Sequence, residues 1–460
     1  MTTGETAPQE TERFAPEELV VIRPSQRCQG RKAASFYWVR GTYLAELIYV
    51  PWQGLRFAFR NGDGGTPRIE NNAYNGEIPP VAWMEDYART ATLRLPSGIE
   101  TYGTLAALAA EIRAFVLRYF DCEQIFESVA TLYVLHTWIY ERFHAVPYLR
   151  FLGPPSSGKT RATEVIGSLC YHPLTFGGSV TPASMYRMIE AAGGTLLLDE
   201  ADFRDSDMSA DVVKVLNCGY QKNLPVTRME QNTAGEFIPR LYEVFGPKIL
   251  NGRRRFRDDA VETRCLTYAP NTTSRIDIPT QLPDRFGREA ACLQRRLLQW
   301  RFDTLETAAP SDEYIHGVSR RMNQIILPLV TVTDMLGSER ERYRSELLEF
   351  ARQADSQNLA IRAESPEAAI VRALLRCFDQ TSPPTCKEVA EIAAMDEDLA
   401  IAAEIRGFTP RRVSHIVREL GFPTRHTREG SVVLLDIGRL RSVAARFGID
   451  APTATRTPEA

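Results

Sequence analysis

The run Gly153-Pro154-Pro155-Ser156-Ser157-Gly158-Lys159-Thr160 has the spacing G-x-x-x-x-G-K-[ST], a pattern suited to holding polyphosphate. Its glycines let backbone N–H groups turn inward around phosphate oxygens, and a following helix N-terminus adds the positive end of its dipole. Lys159 then supplies a point charge to the β and γ phosphates, and Thr160 offers its hydroxyl to Mg²⁺. The motif means little without its context, and here the context is right. An apolar strand, Tyr148–Leu152, precedes it, and a helix is expected over Arg161–Leu169. A second element fits the same chemistry. Thr195-Leu-Leu-Leu-Asp199-Glu200 is an apolar strand ending in adjacent carboxylates. Placed beside the phosphate-loop strand, it would deliver Asp199 to the Mg²⁺ shell and aim Glu200 at the attacking water as general base. Asp202 reads as a solvated helix start without a catalytic role. The cofactors expected are therefore ATP and Mg²⁺.

The elements that must position these residues alternate strand and helix from 146 to 270, as in a parallel sheet. Before them, 97–145 holds two helices, about Thr104–Phe120 and Glu123–Phe143, which form a collar. Residues 18–96 are rich in short β-type runs such as Tyr43–Tyr49 and Leu55–Phe59, broken by turn clusters such as Asn61-Gly62-Asp63-Gly64-Gly65. That cluster lacks the further acidic positions of a calcium loop and reads as a surface turn. Residues 271–364 are helical and read as a lid and linker. Residues 365–450 read as a last compact domain, and 1–17 and 451–460 as disordered tails.

Composition bounds the possibilities. The chain has 460 residues, a formal net charge of -3, 44% hydrophobic and 25% charged residues, ordinary values for a soluble protein. With that charge, any attraction to nucleic acid must be local. The eight cysteines stand singly, with no C-x-x-C pair; neither a zinc ribbon nor a disulfide framework is indicated, and a reducing cytoplasm fits. The start is polar and acidic, which speaks against a signal peptide. The apolar stretch Ile125–Phe143 carries Glu127, Glu141 and Arg142 and reads as a core helix, not a membrane span.

The phosphate loop, the Asp199-Glu200 pair and the segment beyond them resemble the core of an AAA+ ATPase. The likeness extends from about Leu95 through the C-terminal domain. It is nearest to the helicase-like, minichromosome-maintenance-like replication motors of phages, plasmids and integrative mobile elements. Ser156 departs from the glycine that many relatives carry. The resemblance implies an α/β core with a helical lid, working as an oligomer, expected to be a homo-hexamer, on DNA. It also implies roles for residues. A strand expected over Tyr242–Leu250 leads to Asn251 at the place of sensor 1, which orients the water near the γ-phosphate. The stretch Asp259–Leu266 places Arg264 as an arginine finger for the neighbouring subunit, with Arg254 as competitor. Arg320 and Arg321 are weaker candidates for a sensor 2 arginine. A hairpin of Pro225–Glu230 and Glu236–Arg240 would project into a channel, where Arg228 and Arg240 could grip a strand; packing on its own sheet is the plain alternative. The run Arg253-Arg254-Arg255-Phe256-Arg257 could meet phosphates, ATP or an adjacent subunit.

The C-terminal domain carries its own signal. Thr409-Pro410 is a good helix start and Gly421 a good stop. Over Arg411–Leu420, Val413, Ile416, Val417 and Leu420 share one face, while Arg411, Arg412, Ser414, His415 and Arg418 fall mainly on the other. A hairpin, Thr424–Arg428 and Ser431–Leu435, adds Arg425 and Arg428. Helix followed by basic hairpin resembles a winged-helix domain. From Thr409 to Arg441 there are seven arginines against Glu419, Glu429 and Asp436, a basic island in an acidic chain. Winged helices also dock proteins, so three functions stay open: a DNA helicase or translocase, a remodeller, loader or regulator of protein partners, and a DNA-anchored ATPase switch. A G-A-F-T-G-A loop is absent, and no aromatic pore motif of an unfoldase is evident.

Overall fold

Apolar side chains on both faces of consecutive β-type runs force the N-terminal region into a sheet covered on each side. Strands β1 (Val21–Ile22), β4 (Phe36–Val39), β5 (Tyr43–Val50), β6 (Gly54–Asn61) and β7 (Arg68–Glu70) pair antiparallel in that order. A separate ribbon joins β2 (Gln26–Cys28) to β3 (Arg31–Ala33). The computed structural model describes residues 21–22, 26–28, 31–39, 41, 43–62, 65–73, 78–177, 181–199, 207–231, 235–256, 258–378, 382–396, 407–428 and 430–451. Contacts divide the chain into two units, Met1–Ala351 and Arg352–Ala460.

In the first unit, helix α1 (Met84–Arg89) leads through an extended segment to α2 (Leu105–Tyr119), whose N-cap Thr104 accepts from the Ala107 amide at 3.2 Å. Helix α3 (Gln124–Thr137) is buried on almost every side. It stops six residues short of the expected Phe143 because the chain turns at Trp138, whose indole N–H is anchored on the Leu169 carbonyl at 2.8 Å. A 3-10 turn, Tyr140–Arg142, follows.

The central sheet contains β8 (Tyr148–Leu152), β9 (Leu174–Phe176), β10 (Leu196–Leu198), β13 (Lys248–Gly252) and β14 (Cys265–Tyr268), all parallel, in the order β14-β8-β13-β10-β9. With α4 (Lys159–Gly167), α5 (Pro182–Ala192), α6 (Asp207–Cys218) and the short α7 (Asp259–Glu262), this is an α/β core of the P-loop type. Two expectations change. The strand ending at Asp199 is not beside the phosphate-loop strand, since β13 runs between them. Tyr242 does not begin β13; it closes a hairpin of β11 (Val226–Gln231) and β12 (Phe237–Tyr242), paired with Val226. Gly246, at φ +154°, and Pro247 break the chain before Lys248. One buried apolar cluster runs through both the N-terminal and the central sheets, including Leu47, Phe57, Leu93, Leu174, Leu198 and Leu250. Helices α8 (Asp284–Thr304) and α9 (Arg320–Asp334) follow, and α10 (Arg340–Ala363) contains the unit boundary.

The second unit has helices α11 (Pro366–Cys377), α12 (Cys386–Ala394), α13 (Pro410–Glu419) and α14 (Ile437–Arg446), with a hairpin of β15 (Thr424–Thr427) and β16 (Gly430–Val433). Side-chain caps start each helix: Ser365, Thr385, Thr409 and Asp436, with Glu388 completing a capping box at Thr385. Val413, Ile416 and Val417 turn inward onto Ile370, Leu374, Val389 and Leu440. Among the described residues, no helix is long and apolar enough to cross a membrane.

Candidate nucleotide-binding site

Parallel strands present their C-terminal ends, and the loops that follow, along one edge of a sheet. Leu152 hands the chain to the phosphate loop there, with Gly158 at φ +92° as N-cap of α4. Ser156 takes φ +63°, a left-handed conformation that costs an L-residue roughly 1–2 kcal/mol. This is the position where a glycine was expected from the resemblance. Lys159 lies over its own loop, donating to the carbonyls of Gly153 at 2.8 Å and Pro154 at 2.6 Å. The loop is thus curled around the ammonium at the place phosphate oxygens would take. Thr160 is exposed at the first turn of α4.

Leu198 of β10 stands opposite Leu250 of β13, so the next residues of the two strands, Asp199 and Asn251, emerge side by side. Asn251 stands in turn opposite Phe151 of β8. The intervening strand therefore sets a buried amide (2% exposed) between the phosphate loop and Asp199, a place from which it can orient water. Its Nδ2 lies 3.5 Å from Thr163 Oγ1 on α4. Glu200 lies outside the described residues. A cavity of about 370 Å³ opens beside Thr160 and Asp199, and Arg94, Thr163 and Glu164 also line it.

Sequence reasoning passed over several side chains that shape this edge. Arg161 donates to the carbonyls of Tyr119, Pro279 and Thr280, at 3.3, 2.9 and 2.7 Å, tying the start of α4 to loops before and after the core. Backbone acceptors leave no trace in side-chain chemistry, so no motif could have announced it. Arg150 of β8, 1% exposed, forms a bidentate pair with Glu262, one arm at 2.7 Å. Glu262 also accepts from the Phe256 amide at 2.5 Å and from Arg255 at 3.2 Å. The arginine-rich segment after Asn251 is thereby pinned to the phosphate-loop strand, while Arg253 and Arg254 remain exposed.

Arg264 sits elsewhere. The next residue, Cys265, pairs with Tyr148, the first residue of β8, so Arg264 lies at the N-terminal edge, about 13 Å of strand from the phosphate loop. It is 7% exposed, donates to Asn217 Oδ1 and covers the Tyr220 ring at 4.2 Å. The surface pair with Glu262 or Asp259, weighed against its functional role, does not form; Glu262 is taken by Arg150 and Arg255. Arg321 covers the same ring at 5.1 Å, whereas Arg320 is exposed. Burial works to raise the Tyr220 phenol, but the two arginines hold it below its ordinary value.

No protein-family model and no curated protein matches the sequence. The chain is similar to solved helicase structures. One is the active helicase Cch of SCCmec type IV, at 11% identity over 92% of this chain and 97% of that one, with a TM-score of 0.41. Another is JCV helicase, at 13% identity over 53% and 59%, with a TM-score of 0.24. The C-terminal region of NrS-1 also matches, at 10% identity over 85% and 96%, with a TM-score of 0.30. These likenesses are too distant to assign a role to any residue.

The remaining candidates are the basic surfaces. On the core hairpin, Arg228 pairs with Asp211 of α6 at 3.1 Å, and Arg240 with Glu190 of α5 and Glu230 of β11, both at 3.3 Å. Arg187 of α5 also binds Glu230, holding that carboxyl down at about 2. The hairpin thus packs one face on its own core through ion pairs. Its other face exposes Met229, Phe237 and Leu241. In the second unit, Arg411, Arg418, Arg425 and Arg428 are exposed and Arg412 half-buried. Arg412 donates to the Gly407 carbonyl at 2.8 Å and Arg418 to the Ser414 carbonyl at 2.9 Å. None of the five has a carboxylate partner among the described residues. A groove of about 630 Å³ beside α13 is lined by Arg411, Arg412, His415 and Arg418, and also by Glu367 of α11.

Proposed function

We propose that this chain is an ATP-dependent DNA motor, a ring-forming AAA+ helicase or translocase in which residues 365–450 act as a winged-helix DNA-binding domain and 271–364 as a lid and linker. The single observation behind it is the division of catalytic parts between two edges of one sheet. Lys159, Thr160, Asp199 and Asn251 gather at the C-terminal edge, and Arg264 lies at the opposite edge of the same strands. An arginine at that edge is out of reach of its own chain's phosphates; as the finger it would have to leave Asn217 and Tyr220 and act on a neighbouring copy. Glu200 is the proposed base, and Thr160 and Asp199 would hold Mg²⁺, which would polarise the γ-phosphate. Within the chain, the phosphate-loop amides and Lys159 bind the polyphosphate, and Asn251 orients the water. Arg411, Arg412, Arg418, Arg425 and Arg428 of the C-terminal island would take DNA phosphates. Replication of a mobile element is the setting that the resemblance suggests.

The apolar outer face of the core hairpin favours a second reading, a remodeller that handles polypeptide. ATPase assays with and without single-stranded DNA separate the two, because only the DNA motor is stimulated. The ring is tested by mixing Arg264→Ala with Lys159→Ala subunits. Each alone is inactive, and partial return of activity on co-assembly supports the trans arginine. Co-assembly without activity excludes it, leaving Arg254 as the competitor.

A further inference from the structure

The residues just before the helical collar reach the nucleotide cavity. The Thr175 amide of β9 donates to the Thr92 carbonyl at 2.9 Å, and the Arg94 amide to the Pro173 carbonyl at 3.0 Å. An antiparallel bridge joins Leu93 to Leu174. The segment is therefore an additional edge on β9, fixed in register by its backbone and by Leu93, only 1% exposed. Ala91 enters it at φ +57°, a left-handed conformation kept by an L-residue only where its surroundings impose it.

This edge aims Arg94 into the cavity that Thr160 and Asp199 share. Its guanidinium makes no hydrogen bond or ion pair among the described residues; its nearest aromatic contact is the Phe286 ring, 6.0 Å away. Burial holds it below its ordinary value, and the charge of Glu164 acts the other way without forming an ion pair. Arg94 is half-buried, and a partly desolvated cation without a hydrogen-bonded partner gains by meeting an anion. Among the described residues that line the cavity, Arg94 is the one cation, and Glu164 and Asp199 are the carboxylates. On the proposed reading a divalent ion offsets the carboxylates when nucleotide is bound, leaving one positive charge to face phosphoryl oxygens. The volume, about 370 Å³, admits a phosphoryl group with several waters, each needing about 30 Å³.

We propose that Arg94 binds the oxygens of the terminal phosphoryl group of the nucleotide held on the same chain, making the end of the N-terminal region a sensor of whether that group is present. This rests on the nucleotide-site reading above but adds a residue outside the phosphate-loop core and acting in cis.

The test compares ADP alone with ADP plus beryllium fluoride, a stand-in for the γ-phosphoryl group, on the full chain by calorimetry. In Arg94→Ala and Arg94→Gln, the extra affinity conferred by beryllium fluoride should fall on the order of tenfold, as expected for loss of charge-assisted hydrogen bonds. ADP affinity should stay within about twofold, since only the terminal group is contacted, and Arg94→Lys should keep part of the margin. An unchanged margin, or equal losses for both ligands, overturns the proposal. Should Lys159→Ala bind ADP as well as the parent does, the nucleotide-site reading itself fails, a result distinct from any at Arg94.

Discussion

The core hairpin β11–β12 and the C-terminal hairpin β15–β16 each carry two arginines, and in the sequence both suggest a basic surface. In the fold they diverge. Arg228 and Arg240 are spent on Asp211, Glu190 and Glu230 of the surrounding core, and the side of the ribbon facing water is apolar. Arg425 and Arg428 stand exposed, and in the same unit Arg412 and Arg418 of α13 donate to backbone carbonyls, with no ion pair to Arg411, Arg412 or Arg418 among the described residues. The difference shows that positive charge in a sequence becomes positive surface only when no carboxylate is folded against it. On the proposed DNA-motor reading, it favours the second unit over the core hairpin as the place where DNA phosphates would be met.

The largest effect that would sharpen this contrast is on DNA affinity. Replacing Arg411, Arg412, Arg425 and Arg428 by Gln should lower duplex affinity on the order of 100-fold at moderate salt. The slope of log affinity against log salt should flatten by roughly 3–4, at about 0.9 per phosphate contact. A salt titration by fluorescence anisotropy reads both, and an unchanged slope breaks the comparison in favour of protein docking by this unit.

The matching change on the core hairpin should leave that slope alone. Arg228→Gln with Arg240→Gln is expected to cost roughly 1 kcal/mol in stability, since partly exposed ion pairs contribute little each. Urea midpoints should register the loss while duplex binding stays within twofold. A fall in duplex affinity equal to that of the C-terminal replacements would restore the hairpin as the main contact.

Charge compensated inside the fold should appear as pH dependence. Glu46 of β5, in the N-terminal sheet, shares fully buried Arg301 with Glu141 and accepts from the Tyr171 hydroxyl at 2.6 Å. Burial, opposed by Arg301, pushes its carboxyl from 4.5 up to about 7. Between these values the folded chain keeps a proton that the unfolded chain has lost. This contribution to stability is full below about 4.5 and fades as pH rises to about 7. Melting temperature should accordingly fall across that window, and Glu46→Gln should flatten the profile. A parent profile already flat there would show that both carboxylates stay ionised around one guanidinium.

The smallest effect belongs to the phosphate loop. Ser156→Gly removes a left-handed strain of roughly 1–2 kcal/mol but adds backbone freedom to the unfolded chain, worth roughly 0.5–1 kcal/mol. The net gain should be under about 1 kcal/mol, with ADP affinity within twofold. A large loss of affinity would mean that the serine hydroxyl, not the backbone, serves the nucleotide.

Much of the candidate nucleotide site's local framework was legible in advance because its information is local. Gly158, Lys159 and Thr160 need only a strand before them and a helix after them, and both are present. Thr104, Thr385 and Thr409 cap helices through amides a few residues away. The apolar face of α13 and both hairpins follow likewise from short-range periodicity. The strand wrongly expected from Tyr242 failed for a related reason. Apolar runs on either side of Gly246 and Pro247 look continuous, and only the pairing of Tyr242 with Val226 assigns that residue to the hairpin.

What the sequence by itself determined, then, is the set of local devices: the phosphate loop, the helix caps, the hairpins and the isolated basic island. Tertiary structure alone decided that Asn251 stands between the phosphate loop and Asp199, that Arg264 faces Tyr220 and Asn217 across the sheet from the phosphate loop, and that Arg94 lines the cavity beside Thr160 and Asp199. Those outcomes depend on strand order, and strand order is settled by burial of apolar faces contributed from distant parts of the chain. An arginine's partner is whichever group that burial leaves within reach of its guanidinium, and neighbouring residues in the sequence do not encode it.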